Sequence, residues 1–234
     1  MLLFIKKQKN VLIVFTVLFL LIGFFNFDYH KTIDIEVFET NSPYKIYIDV
    51  EMSIISVYKN NVLYKTYPCS GGKYSTPSPI GTFNIITKST WGEGFGGHWM
   101  GLNVAWGKFG IHGTIYPYSI GHPSSKGCIR MLNKDVSELY KFIPYGTFVI
   151  ITDGPYKEFG KGFRYIKPGM YGSDVLAIQK RLKELKYFNG YCNGKYDVNG
   201  FKEAVHKYQR ANKMYVSNTI SPALIKSLGF MLFE

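Results

Sequence analysis

The sequence predicts a mainly β domain with mostly antiparallel strands, followed by a small all-α domain of three helices and preceded by a membrane-spanning helix. Three observations support this prediction. Short β-branched and aromatic stretches alternate with turn residues up to residue 153. Helical periodicity replaces them after residue 166. An uncharged, largely apolar run occupies residues 11–27, which is the short end of the length that spans a bilayer.

The β domain is predicted over residues 43–153. A plausible hairpin turn, Asn60-Asn61, joins two of its strands, and another strand leads to His112. Four glycines in residues 92–97 predict an irregular loop. The predicted strands cover residues 45–50, 54–58, 62–67, 81–88 and 147–152, with one helix at residues 133–142.

The all-α domain is predicted over residues 166–230, after a charged, glycine-containing linker at residues 154–165. Two amphipathic helices are expected, at residues 173–186 and 201–212. A third begins at Ser221-Pro222, where serine is an N-cap and proline suits the first turn, and ends at Gly229. No convergent polar set suited to catalysis occurs here, so binding is the expected role.

The N-terminus predicts export. Lys6, Lys7 and Lys9 precede the apolar run, so residues 1–27 are expected to be a cytoplasmic lysine cluster with a signal anchor, and residues 28–42 a spacer. Residues 23–27 lack a small-residue cleavage site, which favours an uncleaved anchor over a removed signal peptide. Both domains are therefore expected outside the cytoplasm, at the cell membrane. The alternative is a secreted, wall-associated protein.

The net charge of +12 is compatible with several polyanionic neighbours: nucleic acid, lipid headgroups or an anionic wall polymer. The lysines are scattered rather than clustered, so a generally solvated basic surface explains the charge equally well. A nucleic-acid partner conflicts with the export segment, and no nucleic acid is expected.

Only three cysteines occur, so an exported chain cannot pair them all and at least one thiol is free. They are too few and too far apart for a zinc site, and no metal is expected. Cys69 and Cys192 fall in different predicted domains and are expected to be free, partly buried thiols. A free cysteine is usually a small, buried, inert side chain, and the polar, glycine-rich setting of Cys128 adds a reactive thiol as the alternative.

Residues 110–135 carry the candidate chemistry. Cys128 is the candidate nucleophile and His112, at the end of a predicted strand, the general base and acid. The backbone N–H of Gly127, with that of Cys128, is expected to form an oxyanion hole. Arg130 and Lys126 are expected to favour the thiolate over the thiol. These groups suffice for acyl transfer, so no cofactor is expected.

Two other histidines are alternatives. His122 lies six residues before Cys128, but its place between Gly121 and Pro123 favours an exposed loop residue over a base. His98 lies in the glycine-rich stretch, where lining a substrate groove and simple solvation are equally compatible with the sequence. The three tryptophans are expected to pack in the core.

The motifs around these residues resemble the L,D-transpeptidase (YkuD-type) family. They are His112-Gly113, Ser119-Ile120-Gly121 and Ser125-x-Gly127-Cys128-Ile129-Arg130-Met131, with Thr76-Pro77-x-Pro79-x-Gly81-x-Phe83 upstream. The resemblance covers residues 43–153 and implies a β-sandwich-like fold. It also implies that the backbone carbonyl of Gly113 orients the imidazole. Lys126 replaces a second histidine that commonly precedes the Gly-Cys pair.

The resemblance implies attack on a peptidoglycan stem peptide after its third residue. A D-amino acid would leave, a thioester would form on Cys128, and an amine of a neighbouring stem would resolve it as a 3→3 cross-link. One alternative is an L,D-carboxypeptidase, in which water resolves the same acyl-enzyme. Another is a catalytically inert wall-binding scaffold.

Residues 166–230 resemble the three-helix peptidoglycan-binding domain. The matching residues are Lys167-Pro168-Gly169-Met170-x-Gly172-x-Asp174-Val175, Ile178-Gln179-x-x-Leu182, Tyr187-Phe188-x-Gly190 and Ala204-Val205-x-x-Tyr208-Gln209. The resemblance implies non-covalent binding of the wall. The expected partners are therefore peptidoglycan stem peptides and glycan strands, with the membrane bound through the N-terminal segment.

Overall fold

A computed structural model of the chain describes residues 42–90, 92, 96–196 and 200–231. The predicted lysine cluster, the signal anchor and the spacer up to residue 41 lie outside these ranges. Within them, no helix combines the length and the apolar character needed to cross a membrane.

Eight strands form one sheet in the order β3-β2-β1-β8-β4-β5-β6-β7. Neighbouring strands are antiparallel except for the parallel pairs β1–β8 and β6–β7. The strands are β1 Tyr44–Asp49, β2 Ile54–Lys59, β3 Val62–Pro68, β4 Gly81–Thr90, β5 His98–Leu102, β6 Phe109–His112, β7 Ile129–Arg130 and β8 Phe148–Thr152.

The expected mainly β domain is confirmed, and its sheet is continuous through one long strand, β4. Strand β4 pairs with β8 over its first residues and with β5 over its last ones. The register shifts between Ile85 and Thr87, and such a bulge bends a strand and increases its twist. One long strand therefore belongs to both halves of the sheet.

The core of the β domain lies on one face of this sheet and under helix α1, Asn133–Phe142. Alternating residues of the strands point into it, including Ile46 and Ile48 of β1, both fully buried. Val136 and Leu139 of α1 are also fully buried, as their helical spacing predicted. The other face of β5, β6 and β7 is covered as well, since Trp99 and His112 on it are 8% and 5% exposed.

Three helices follow the β domain: α2 Ser173–Glu184, α3 Phe201–Ala211 and α4 Pro222–Ser227. They enclose a second, separate hydrophobic core that includes Phe188 and Phe201. The side chain of Ser221 accepts a hydrogen bond from the backbone N–H of Leu224 at 3.2 Å, so the predicted N-cap of α4 is present. The predicted helices are confirmed, and each predicted start and end lies within two residues of the observed one.

The helical part packs on the β domain at defined points. The hydroxyl of Ser173 accepts the backbone N–H of Ile80 at 2.7 Å. Gly194 lies so close to Trp106 that a Cβ there would be 2.5 Å from the indole ring. A side chain at position 194 would therefore push the two parts away from each other.

Candidate active site

The residues of the candidate site share the face of β5, β6 and β7 that points away from the core. The alternate residues of these strands, such as Ile111 and Ile129, are buried in the core. In the strand register, Trp99 pairs with His112 and His112 with Arg130. Because paired residues of neighbouring strands point to the same face, these three side chains form one row across the sheet.

Cys128 belongs to the next row. It directly precedes β7, and since Ile129 pairs with Ile111, Cys128 lies opposite Gly110. Gly110 and His112 are two positions apart on one strand, so the thiol and the imidazole lie on the same face. A backbone hydrogen bond with Gly110 also lowers the pKa of the Cys128 thiol, in agreement with this placement. The fold therefore brings the two predicted catalytic residues onto neighbouring rows.

Glycines in the row of Cys128 make room for Trp99. A Cβ at Gly110 would lie 2.8 Å from the indole ring, and a Cβ at Gly101 would lie 2.8 Å from its Nε1. The indole stacks on the imidazole of His112 with 5.7 Å between ring centres. Trp99 is only 8% exposed, so its burial agrees with the expectation, but it packs on the imidazole and not in the core cluster of the β domain.

The imidazole of His112 is oriented by its own backbone neighbour. Its Nδ1 lies 2.6 Å from the carbonyl oxygen of Gly113. A carbonyl only accepts, so Nδ1 carries the proton in this contact, and Nε2 keeps the lone pair that a general base needs. This is the contact that the family resemblance implied for Gly113.

Burial keeps both reacting groups neutral. The pKa of His112 is lowered from 6.5 to about 4, chiefly because burial disfavours the imidazolium, and the positive charge of Arg130 lowers it further. Burial raises the pKa of the Cys128 thiol above its ordinary value of 9.0, although Gly110 and Arg130 act in the opposite direction. At neutral pH the resting pair is therefore a thiol and a neutral imidazole.

Arg130 acts on the thiol in the expected direction, whereas Lys126 does not act on it. Arg130 does lower the pKa of Cys128, but the effect of burial is larger. Lys126 is exposed and is not among the charges that act on the thiol.

A side chain that the sequence reasoning left without a role, Ser125, shapes the loop of the nucleophile. Its hydroxyl accepts the backbone N–H of Gly127 at 2.9 Å and donates to the carbonyl of Cys128 at 2.6 Å. The Gly127 amide is thus already bound, which opposes its expected part in an oxyanion hole. The Cys128 amide has no acceptor among the described residues and is the donor of that pair still available.

Gly127 is itself a conformational requirement. Its φ of +113° is one that residues with a side chain rarely adopt. A Cβ there would also lie 2.6 Å from the Phe109 ring and 3.0 Å from the carbonyl oxygen of Pro77. The glycine before the nucleophile therefore has a steric role.

A second residue that sequence reasoning did not single out, Asn133, holds the segment after His112. Its Oδ1 accepts the backbone N–H of Thr114 at 2.8 Å and lies against Gly96 and Gly113, where a Cβ would be at 2.1 and 2.5 Å. Since the carbonyl of Gly113 orients the imidazole, Asn133 positions His112 indirectly. Its signal in the sequence is only that an N-terminal helix residue follows the Cys128 motif.

The upstream Thr-Pro element packs against the same loop. The hydroxyl of Thr76 donates to the carbonyl of Ser125 at 3.0 Å, and the backbone N–H of Lys73 donates to that carbonyl too. Residues 72–80 therefore support the nucleophile's loop from one side.

The remaining candidates lie elsewhere. His122 is exposed, as predicted. His98 belongs to β5 rather than to a loop, and its ring lies 4.7 Å from that of Tyr140. Cys69 is fully buried with a pKa raised by burial to about 12, and Cys192 is partly buried; neither forms a disulfide. Within the described ranges, no cluster of three or more His, Cys, Asp or Glu residues could hold a metal ion.

The sequence profile of the YkuD family, described as the L,D-transpeptidase catalytic domain, matches residues 43–151. A Bacillus subtilis protein named provisionally as L,D-transpeptidase YqjB is 32% identical over 127 residues, covering 47% of this chain and 72% of the relative. Another from the same organism, named provisionally as L,D-transpeptidase YkuD, is 44% identical over 111 residues, covering 47% of this chain and 66% of the relative.

A solved structure, an L,D-transpeptidase from Mycobacterium smegmatis, is 21% identical with a TM-score of 0.41, and the match covers 47% of this chain and 59% of that one. The chain thus spans less than two thirds of this structure and 66% of the YkuD relative.

A thiol and an imidazole on one sheet face, with an oriented base, are the groups that nucleophilic catalysis by cysteine needs. The chain belongs to the L,D-transpeptidase (YkuD) family. The predicted membership of this enzyme family is confirmed for the β domain. The binding of peptidoglycan by residues 166–230, which their resemblance to a known domain implies, stays a prediction.

Proposed function

We propose that the protein is an L,D-transpeptidase that joins peptidoglycan stem peptides through a thioester on Cys128. The observation that supports this most directly is the strand register, which sets Cys128 opposite Gly110 and beside His112 on one face. The family membership supports the substrate class.

In the first half-reaction, the Cys128 sulfur attacks the carbonyl carbon of the third stem residue while its proton passes to Nε2 of His112. The Cys128 amide is placed to donate to the developing oxyanion. The C–N bond then breaks, the D-amino acid leaves with the proton from the imidazolium, and a thioester remains. The neutral resting pair suits this sequence because the base is unprotonated at the start.

In the second half-reaction, an amine of a neighbouring stem attacks the thioester carbonyl. His112 takes a proton from that amine, the C–S bond breaks, and the thiol is restored with the proton. A new amide bond between two third residues is the 3→3 cross-link. Arg130, in the row of His112, disfavours the imidazolium and so promotes return of the proton to the leaving group.

The test is the intact mass of the protein mixed with a tetrapeptide stem. We expect a thioester adduct that is absent from Cys128→Ala and forms slowly in His112→Gln. A wild-type protein without an adduct would favour the inert scaffold, and rapid adduct formation by His112→Gln would assign the base elsewhere.

The acceptor is decided by the products. With excess tetrapeptide, we expect cross-linked dimers, which an amine acceptor produces. Tripeptide monomers alone would instead identify an L,D-carboxypeptidase, because water would have resolved the same thioester.

We further propose that residues 11–27 anchor the chain with both domains outside the cytoplasm and that residues 166–230 bind the wall. The lysines before the apolar run and the motifs of the helical domain support these assignments. Cell fractionation and protease accessibility of the helical domain test the first. Sedimentation of the Cys128→Ala protein with purified walls tests the second, since that variant cannot attach covalently through its nucleophile.

A further inference from the structure

A groove with a volume of about 500 Å³ lies between the β domain and the helical domain. Its lining comes from the turn after β1, from residues 72–80, from the linker and from residues 169–174. Neither Cys128 nor His112 lines it. The volume is within the usual range for sites that bind small organic ligands.

The walls of this groove are held in place. The hydrogen bond from Ile80 to Ser173 joins the β-domain wall to the start of α2. On the helical side, Arg164 forms two hydrogen bonds with the carboxylate of Asp174, at 2.6 and 3.1 Å. A bidentate pair of this kind fixes both partners, so the groove is formed before any ligand binds.

The charge of the lining suits an uncharged ligand. Four acidic and three basic side chains line the groove, so its formal charge is close to zero although the chain carries +12. Arg164 and Asp174 neutralise each other, and Lys161 acts on the carboxyl of Asp153. An anionic polymer would find stronger attraction elsewhere on this basic protein.

The backbone of residues 72–80 offers little to an extended peptide. Peptides that add to an edge need a row of unpaired backbone groups. Here the amide of Gly72 donates to the Ser78 hydroxyl at 2.9 Å, and those of Lys73, Thr76 and Ile80 are bound as well. Four amides of this segment are thus not available to a ligand, which favours recognition by side chains.

Those side chains combine aromatic rings with polar groups. Tyr74 is 85% exposed and Tyr171 is 47% exposed, and both line the groove. Glu51 and Asp153 add carboxylates that accept hydrogen bonds from hydroxyl or amide groups. Aromatic faces that pack on C–H surfaces, with carboxylates beside them, match the chemistry of a sugar ring.

We propose that this groove binds the glycan strand of peptidoglycan, as a site distinct from the thiol. The inference extends the proposed function, on which its biological meaning rests. Pro77 lines the groove, and its carbonyl oxygen lies against Gly127, the neighbour of the nucleophile. Three stem residues span about 10 Å when extended, and Pro77 sets one wall of the groove beside the loop of Cys128.

The test uses the full-length protein in detergent and a tetrasaccharide of N-acetylglucosamine, which carries no peptide and no charge. Calorimetric titration is expected to show saturable binding. Tyr74→Ala and Tyr171→Ala are each expected to raise the Kd at least about fivefold, equivalent to roughly 1 kcal/mol. Tyr215→Ala is the matched control, since Tyr215 is 89% exposed and does not line the groove.

Absence of saturable sugar binding, or an unchanged Kd in both groove variants with native thermal melting, would overturn the proposal. So would displacement of the sugar by a free stem tripeptide, which would make the groove a peptide site. Cys128→Ala is expected to bind the sugar as the wild type does. Loss of acylation with intact sugar binding would therefore reject the proposed function and retain the glycan site.

Discussion

The hydroxyl of Ser125 donates a 2.6 Å hydrogen bond to the backbone carbonyl of Cys128. The same hydroxyl accepts a hydrogen bond from the backbone N–H of Gly127. The side chain is 1% exposed, so water cannot replace it easily. The conformation of the nucleophile's loop therefore depends on one buried hydroxyl group.

Replacing Ser125 by alanine leaves the buried Gly127 amide without its acceptor. We expect Ser125→Ala to lower the free energy of unfolding by about 1–3 kcal/mol. The rate of acylation should fall at least about tenfold because the thiol is no longer held in place. Ser124→Ala is the control: its buried hydroxyl has no partner among the described residues, so its loss should change neither urea unfolding nor acylation.

The pH dependence of acylation should follow the lowered pKa of His112. Since the base must be neutral, we expect the rate to stay constant from pH 7 to about 5 and to halve near pH 4. An acid limb centred near 6.5 would show that the imidazole is solvated in the working enzyme.

Stability should depend on the same group. The unfolded chain binds a proton at His112 below about pH 6.5, whereas the native state resists it down to about pH 4. The contribution of the neutral His112 to the free energy of unfolding is therefore fully present above pH 6.5. It is lost as the pH falls towards 4, and the loss amounts to about 3 kcal/mol. Urea unfolding at several pH values should show this loss in the wild type and a smaller slope in His112→Gln.

Arg130 lowers the pKa of both Cys128 and His112. Its removal in Arg130→Gln is expected to raise the pKa of Cys128 further and also to raise that of His112. Alkylation of Cys128 at a fixed pH should become slower, and the acid limb of acylation should move to higher pH. Lys126→Gln, which removes an exposed charge, should change neither; an equal shift in both variants would indicate a general effect of net charge.

Gly110 should tolerate no side chain. A methyl group there would lie 2.6 Å from the carbonyl oxygen of Met100 and 2.8 Å from the Trp99 ring. We expect Gly110→Ala to cost about 1–3 kcal/mol and to slow acylation, because Trp99 would move against His112. Gly92→Ala, whose added methyl group meets no atom of the described residues within 4 Å, should keep the melting temperature of the wild type.

Much of the sheet was predictable because its strands carry alternating apolar residues or follow clear turns. Two strands were missed for physical reasons. β5 begins after a glycine-rich stretch and contains Gly101, while β7 has only two residues. Both are strands because they pair with β6, a tertiary interaction that local propensity does not report.

The site was predictable in its residue types and less so in its electrostatics. The motif indicated Cys128 and His112, but a neutral pair results from burial, which depends on the whole fold. Likewise, the sequence predicted that the amide of Gly127 would donate to an oxyanion, whereas in the structure it donates to the Ser125 hydroxyl. Asn133 acts through contacts with residues far from it in sequence.

Residues 72–80 have partners on both sides. One side contacts the loop of Cys128, through Thr76 and Pro77, and the other is bonded to the helical domain through Ile80 and Ser173. The two domains are consequently not interchangeable modules joined by a passive tether. Exchange of the helical domain for an unrelated wall-binding module would change one support of the nucleophile's loop, so evolution of either domain is constrained by the other.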